Sequence, residues 1–234
     1  MSVEANWQKQ DNTWQLTEDL LQSNNGVSTN AQQSESIDTR LSETLFSQGN
    51  GYIGIRGTLE DVQDGTHKSC EGVYLNGLYF REPIPYGETA YGFATHNDKL
   101  LQVPNPKVLQ VKSKQFVDEL KHIRVLDMRT GVLTRDRLWS TDNGGQCQVQ
   151  FQRFVSNAQR NLMCLQTSVK AVGESVNVSL QLGLDDSYGA VLDANDPRAG
   201  ELSIDKMLSL VDCIYDDNCH HYIHSVQGIK PVPG

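Results

Sequence analysis

The sequence predicts an all-β domain, a sandwich or a barrel, and three features indicate it. Runs of alternating apolar and polar residues recur, most clearly where Cys147, Val149 and Phe151 alternate with glutamines. Turn-forming residues separate these runs at short intervals, and no stretch after Lys99 shows the spacing of a helix of three or more turns. Many short strands joined by tight turns are typical of sandwiches and barrels.

The elements follow from these patterns in chain order. Residues 7–21 predict a strand and a short helical turn, and the polar run 22–39 predicts a long loop or connector. Gly77 interrupts an apolar strand, where we expect a bulge or a close backbone approach. The alternation slips phase at Arg153 and Phe154, so we expect a bulge near that position. The predicted later strands are 72–80, 100–103, 108–111, 122–127, 132–139, 146–154, 162–172 and 176–182.

Charge and composition exclude several classes of partner. The chain has 234 residues, 38% of them hydrophobic, and a formal net charge of −9, which disfavours nucleic acid and anionic membranes. Its start lacks the basic and apolar regions of a secretion signal, and no run approaches the ~20 apolar residues of a membrane span. Five irregularly spaced cysteines argue against a disulfide framework. These features predict a cytoplasmic protein.

The most informative segment is 43–61, ETLFSQGNGYIGIRGTLED, in which Gly49, Gly51 and Gly54 spell G-x-G-x-x-G. A dinucleotide site needs a helix directly after this motif, but Ile53, Ile55 and further glycine disfavour a helix here. We therefore expect no cofactor. A nicotinamide-dependent oxidoreductase that uses this loop is the alternative enzyme hypothesis.

We instead interpret this segment as a structural or domain-docking motif. Its glycines permit tight turns and close backbone approach, with Asn50 able to adopt a left-handed turn conformation. Arg56 would reach outward, where its guanidinium could contact a second domain. The residues assigned to the motif are Asn50, Gly51, Gly54, Arg56, Gly57 and Glu60.

Here the sequence resembles the N-terminal domain of glycoside hydrolase family 65, which includes maltose, trehalose and kojibiose phosphorylases. The resemblance starts with the glycine-rich segment and covers about residues 43–186. It continues in order through GVYLNGLY, LLQVPNP, LDMRTGVLTRDRLW, FQRFVSN and LGLDD.

This resemblance implies a large two-sheet β-sandwich, similar to the galactose mutarotase fold, that precedes an (α/α)6 catalytic barrel. In that barrel a glutamic acid protonates the glycosidic oxygen while phosphate, or water in hydrolytic members, attacks the anomeric carbon. The present chain has no segment for such a barrel. We therefore expect a noncatalytic domain that stabilises or walls the barrel, with no catalytic residue of its own and with α-glucosyl saccharides as substrates of the parent protein.

The resemblance also suggests a division of the chain. Residues 1–40 form the N-terminal strand, helical turn and polar connector, and residues 41–196 form the sandwich. Residues 197–234 differ from the family's later strands, so the final strands could be missing, replaced or supplied by another segment. An isolated domain, a truncated relative and a split subunit all remain open.

Three other groups of residues carry side chains that could serve catalysis or binding. The acidic pairs at 60–61, 185–186 and 216–217 are expected to be turn and surface acids, because neighbours on a strand face opposite ways. Tyr86, Tyr91 and Phe93 lie in a Pro- and Gly-rich loop and are candidate sugar contacts of a free-standing carbohydrate-binding sandwich. The possible metal ligands Cys213, Cys219, His220, His221 and His224 lack the usual zinc spacing, so no metal is assigned.

Overall fold

The computed structural model describes residues 14–21, 32–61, 71–84, 90–185, 208–216 and 219–226. Helix α1 spans Gln32–Leu45. The strands are β1 (Gln15–Asp19), β2 (Gln48–Gly49), β3 (Ile53–Ile55), β4 (Val73–Pro83), β5 (His96–Gln102), β6 (Asn105–Lys112), β7 (Phe116–Asp127), β8 (Val132–Thr141), β9 (Gln146–Val155), β10 (Met163–Val172), β11 (Ser179–Asp185), β12 (Leu208–Tyr215) and β13 (His220–Val226).

All described strand pairs are antiparallel, and together they confirm the all-β prediction. The largest sheet has the order β1-β7-β8-β9-β10. The other sheets are β2-β3-β4-β5, the pair β6-β11 and the hairpin β12-β13. Consecutive strands pair side by side over β7 to β10, as expected of short antiparallel connections.

The sandwich core lies between the five-stranded sheet and β6. Leu109 of β6 packs with Cys147, Val149 and Phe151 of β9, all at most 2% exposed. A second buried cluster joins β3 and β4 to the end of β9 through Ile53, Ile55, Val73 and Val155. The inward positions predicted from the alternation of β9 are therefore confirmed.

The bulge predicted at Gly77 is also confirmed. The register between β4 and β5 shifts between Tyr74 and Tyr79, and Gly77 itself has a φ of 91°. Glycine is favoured in this conformation because it has no Cβ to clash with the backbone.

Helix α1 corrects the prediction of a polar loop over 22–39, because residues 32–39 are helical. Sequence reasoning missed this helix because it assigned the polar run 22–39 to a connector, and the end of that run at Thr39 lies inside the helix. The helix ends where Phe46, fully buried, packs with Leu126 and Leu133 on the five-stranded sheet. Tertiary packing of this kind stabilises a helix whose own sequence is strongly polar.

The predicted bulge at Arg153 and Phe154 is wrong. The register of β9 is continuous with both β8 and β10. Arg153 is fully buried on the same face as Phe151, and Phe154 lies on the outer, exposed face. The alternation therefore continues without a slip, with an arginine in a core position.

The strand predicted at 176–182 begins later, at Ser179, although Val176 and Val178 still pack against the β9 cluster. No helix in the part of the chain that the structure describes is long and apolar enough to span a lipid bilayer.

Candidate docking site and its charged interior

Asn50 closes the loop between β2 and β3. Its side-chain oxygen accepts hydrogen bonds from the backbone N–H groups of Tyr52 (2.9 Å) and Ile53 (2.8 Å). Its side-chain nitrogen donates to the carbonyl oxygens of Ser156 (2.6 Å) and Arg160 (2.9 Å). One side chain thus fastens this loop to the turn between β9 and β10.

The three glycines assigned to the motif differ in their backbone conformation and packing. Gly51 has a φ of 84°, so the left-handed residue of the turn is this glycine. A Cβ on Gly57 would lie 2.6 Å from the Phe46 Cβ and 2.8 Å from the Glu43 carbonyl oxygen, which already accepts a bond from the Gly57 N–H. A Cβ on Gly54 would have no such neighbour within 4 Å. Close packing therefore explains why residue 57 is a glycine, but it gives no reason for a glycine at residue 54.

Arg56 lies against the end of helix α1. Its guanidinium donates to the carbonyl oxygen of Arg40 and to the hydroxyl of Thr44, each at 3.2 Å, and lies 3.6 Å from the Glu43 carboxylate. The side chain is 25% exposed. Its contacts are thus with this domain's own helix, and only part of it reaches solvent.

Glu60 and Asp61 correct the expectation that this acidic pair lies on the surface. Glu60 is 4% exposed and forms ion pairs with Arg153 (2.9 Å) and Arg135 (3.1 Å). Asp61 pairs with Arg135 (2.7 Å) and with Arg137. The two neighbouring carboxylates therefore attach the loop to strands β8 and β9 of the large sheet.

The charges around Asp61 strongly favour its ionised form. Burial by itself would raise the pKa of Asp61, but attraction to Arg135 and Arg137 outweighs burial and lowers the pKa from 3.8 to about 2. Glu119 behaves in the same way: burial opposes ionisation, but hydrogen bonds from His122 and Arg137 lower its pKa. Neither carboxyl is suited to donate a proton at neutral pH.

Two further ion pairs extend this charged interior. Lys107, which has no exposed surface, pairs with Glu71, and burial lowers its pKa from 10.5 to about 8 against the attraction of that carboxylate. Arg124 pairs with Glu18 of β1, donates to the Gly57 carbonyl oxygen at 2.6 Å and stacks on the Phe46 ring at 4.1 Å.

Sequence reasoning missed most of these residues. A signal was present, because Arg124, Arg135 and Arg153 each occupy an inward position in the alternation of its strand. A long charged residue at such a position is normally assigned to the surface unless its partner is known. The missed residues of the charged interior are Glu18, Glu71, Lys107, Glu119, His122, Arg124, Arg135, Arg137 and Arg153.

The candidate sugar contacts lie apart from this interior, at the connection between β4 and β5. Tyr91 is fully exposed and Phe93 is 51% exposed, next to Gly92 with a φ of 91°. Tyr86 lies outside the described residues. The described contacts thus leave these aromatic rings on the surface of the domain.

The possible metal ligands occupy the hairpin β12-β13. Cys213 lies opposite Tyr222, and His221 lies 3.8 Å from the Asp216 carboxylate. Within the described ranges no group of three or more histidine, cysteine or acidic side chains is placed to hold a metal ion.

Comparison with known proteins gives one family. Residues 31–224 match the family model described as glycosyl hydrolase family 65, N-terminal domain. A solved structure from the human microbiome, assigned as a kojibiose phosphorylase, has a similar fold with a TM-score of 0.66 and 16% identity. That match covers 91% of this chain and 25% of the solved chain.

Curated relatives agree with this result. The chain is 32% identical over 204 residues to the α,α-trehalose phosphorylase of Thermoanaerobacter brockii, covering 83% of this chain and 25% of the relative. It is 32% identical over 177 residues to an uncharacterized glycosyl hydrolase of Mycobacterium tuberculosis H37Rv, covering 73% of this chain and 22% of the relative. The kojibiose phosphorylase of Escherichia coli K12 is 31% identical over 145 residues. The chain thus spans about a quarter or less of the length of these relatives.

Proposed function

Because this chain belongs to the N-terminal domain family of glycosyl hydrolase family 65, we propose that it is a noncatalytic β-sandwich that stabilises or walls an (α/α)6 catalytic barrel. The parent protein would be a cytoplasmic α-glucoside phosphorylase or hydrolase. The coverage of about a quarter of each relative supports the proposal, since most of a relative's length lies outside the matched part.

The observation that carries the noncatalytic part is that the carboxyls of the charged interior are held by cationic side chains. Inverting cleavage of a glycoside needs a carboxylic acid that is still protonated near neutral pH. Here the pKa values of Asp61 and Glu119 are lowered, and the Glu18, Glu60 and Glu71 carboxylates are paired with arginine or lysine. Asp61 and Glu119 are therefore unsuited to act as a general acid, and the other three carboxylates are held in ion pairs inside the domain.

The motif around Asn50 supports the docking part of the proposal. Asn50, Glu60 and Asp61 fix the loop from several sides, so the partly exposed Arg56 is held in one position next to helix α1. A partner domain would meet a preformed surface and would lose little conformational entropy on docking.

A direct assay tests the proposal. The isolated chain, incubated with phosphate and maltose, trehalose, kojibiose or nigerose, should form no glucose 1-phosphate. In the Thermoanaerobacter brockii trehalose phosphorylase, deletion of the matched 204 residues should abolish activity, and replacing them with this chain should restore part of it. Activity of the isolated chain, or full activity of the deletion variant, would contradict the proposal.

A second candidate function is supported by Tyr91. A fully exposed aromatic ring beside the half-exposed Phe93 could stack on the apolar face of a pyranose. Calorimetric titration with maltose and longer α-glucans distinguishes the two functions, since a docking domain should bind no sugar more tightly than about 1 mM. Tighter binding that is lost in Tyr91→Ala, and kept in the control Tyr215→Ala on β12, would favour carbohydrate binding.

A further inference from the structure

Asn76 and Gly77, at the bulge of β4, form one of four Asn-Gly pairs in the sequence, and we propose that this pair is a site of spontaneous deamidation. The other pairs are Asn25-Gly26, Asn50-Gly51 and Asn143-Gly144. In an Asn-Gly pair the glycine nitrogen can attack the asparagine side chain, because glycine has no side chain to obstruct the approach. Local structure then decides which pairs react.

The reaction first closes and then opens a ring. The Gly77 nitrogen gives its proton to solvent base and forms a bond to the Asn76 Cγ, and the Cγ–Nδ2 bond breaks so that ammonia leaves. Water then opens this succinimide ring at either carbonyl, which yields aspartate or isoaspartate. The net change consumes a water molecule and releases ammonia, without oxidation or reduction.

The backbone at Gly77 is accessible to solvent base. Pairing of β4 with β3 ends at Leu75, and pairing with β5 is interrupted between Tyr74 and Tyr79. Asn76 and Gly77 are both exposed. Among the described residues, no atom lies within 4 Å of a Cβ built on Gly77. The attacking nitrogen therefore belongs to an exposed residue that lies outside both ladders.

Tyr79 favours the reaction at the side chain. Its hydroxyl donates to the Asn76 side-chain oxygen at 3.1 Å. Attack on the amide carbon places negative charge on this oxygen, and a hydrogen-bond donor already in place stabilises that charge. The Asn76 side-chain nitrogen donates to the Gly51 carbonyl oxygen at 3.0 Å, and this contact is lost when ammonia leaves.

The pair Asn50-Gly51 has the same two residues in a protective environment. The half-buried Asn50 side chain makes four hydrogen bonds, to Tyr52, Ile53, Ser156 and Arg160. Ring closure requires this side chain to leave its partners, which are more numerous than the two of Asn76. Asn50 should therefore react at least about tenfold more slowly than Asn76 in the folded domain.

Asn143 is protected at its attacking nitrogen as well as at its side chain. The Gly144 N–H donates to the Thr141 carbonyl oxygen at 3.1 Å within the turn between β8 and β9. The Asn143 side-chain oxygen accepts from the Thr141 hydroxyl at 2.7 Å, and its nitrogen donates to the Ser175 carbonyl oxygen at 2.9 Å. Both reacting groups are thus held by hydrogen bonds.

Deamidation of Asn76 would weaken the attachment of β4 to the loop between β2 and β3. An aspartate has no N–H to donate to the Gly51 carbonyl oxygen, and its carboxylate would repel that oxygen. Isoaspartate lengthens the backbone beside the N–H that Asn76 donates to the Tyr52 carbonyl oxygen at 2.7 Å. The modification therefore acts as a slow, irreversible release of this contact.

Peptide mapping tests the site, because trypsin places each Asn-Gly pair in its own fragment. The full folded chain is incubated at neutral pH, and mass spectrometry follows the conversion of amide to acid in each fragment. Of the three described pairs, Asn76 in fragment 69–81 should convert fastest, and Asn50 in fragment 41–56 should be at least about tenfold slower. In urea the three pairs should convert at similar rates.

A hydroxyl deletion tests the assistance by Tyr79. Tyr79→Phe should slow conversion at Asn76 by about threefold to tenfold, the effect of one hydrogen bond. Tyr91→Phe is the control, since this fully exposed tyrosine lies on the same connection between β4 and β5. An Asn50 rate that stays low in Tyr79→Phe verifies that the variant is folded.

Three results would contradict the proposal. Conversion of Asn50 as fast as Asn76 in the folded chain would show that the fold does not select the site. An Asn76 fragment that converts in urea but stays unmodified in the folded chain would show that the fold protects this pair too. An unchanged Asn76 rate in Tyr79→Phe would exclude assistance by the hydroxyl.

Discussion

Gly57 lies where the segment after β3 passes the end of helix α1. We predict that Gly57→Ala destabilises the domain by about 1–3 kcal/mol, because the new methyl group would overlap Phe46 and the Glu43 carbonyl oxygen. Gly54→Ala is the matched control, since its Cβ meets no neighbour within 4 Å, and it should change stability by less than about 0.5 kcal/mol. Urea unfolding followed by tryptophan fluorescence compares them. Equal losses of stability in the two variants would mean that the close packing at Gly57 does not contribute to the free energy of unfolding.

At the scale of elements, the alternation in β9 predicts the core face of the strand correctly but its C-terminal end wrongly. The alternation of Cys147, Val149 and Phe151 predicts its core face, and the structure confirms it. At the next inward residue, Arg153, the apolar alternation ends, and this apparent slip of phase predicted a bulge. A buried arginine is costly unless it has a partner. Glu60, the partner of Arg153, lies 93 residues earlier, so the strand's own sequence contains no sign of the compensation.

Helix α1 was missed for a related reason. Its sequence is polar, and its stabilising contacts are made at its C-terminal end. There Phe46 packs in the core, and the Glu43 carbonyl oxygen accepts a hydrogen bond from the Gly57 N–H. The strands and the bulge at Gly77 were predictable, because they depend on local alternation and on glycine. The boundaries of this helix depend on packing that has no local signature.

At the scale of the whole molecule, ion pairs connect the loop at 60–61 to the large sheet, and this predicts a response to acid. The pKa of Asp61 is about 2 in the folded protein, below its ordinary value of 3.8. The ionised carboxylate therefore gives its full contribution to folding stability above about pH 4, and this contribution is lost as the pH falls toward 2. From this shift, Asp61→Asn should cost about 2 kcal/mol at pH 7.

The measurement is the free energy of unfolding of the wild type and of Asp61→Asn between pH 7 and pH 2. The difference should be constant above pH 4 and shrink below it. Asp98→Asn, which removes an exposed partner of Arg81, is the control and should cost far less. A difference that does not depend on pH would show that the charge of Asp61 is not what stabilises the loop.

The sequence by itself determined the all-β class, most strands, the bulge at Gly77 and the family resemblance, because strand alternation and glycine conformation are local properties. Only the tertiary structure decided that Glu60 is buried, that Asp61 is mostly covered, and that arginines of β8 and β9 pair with both. Asp61 and Arg135 are 74 residues apart in the chain, and a buried charge is tolerated only when its partner is in place. Which charged residues lie inside is therefore decided by the fold as a whole.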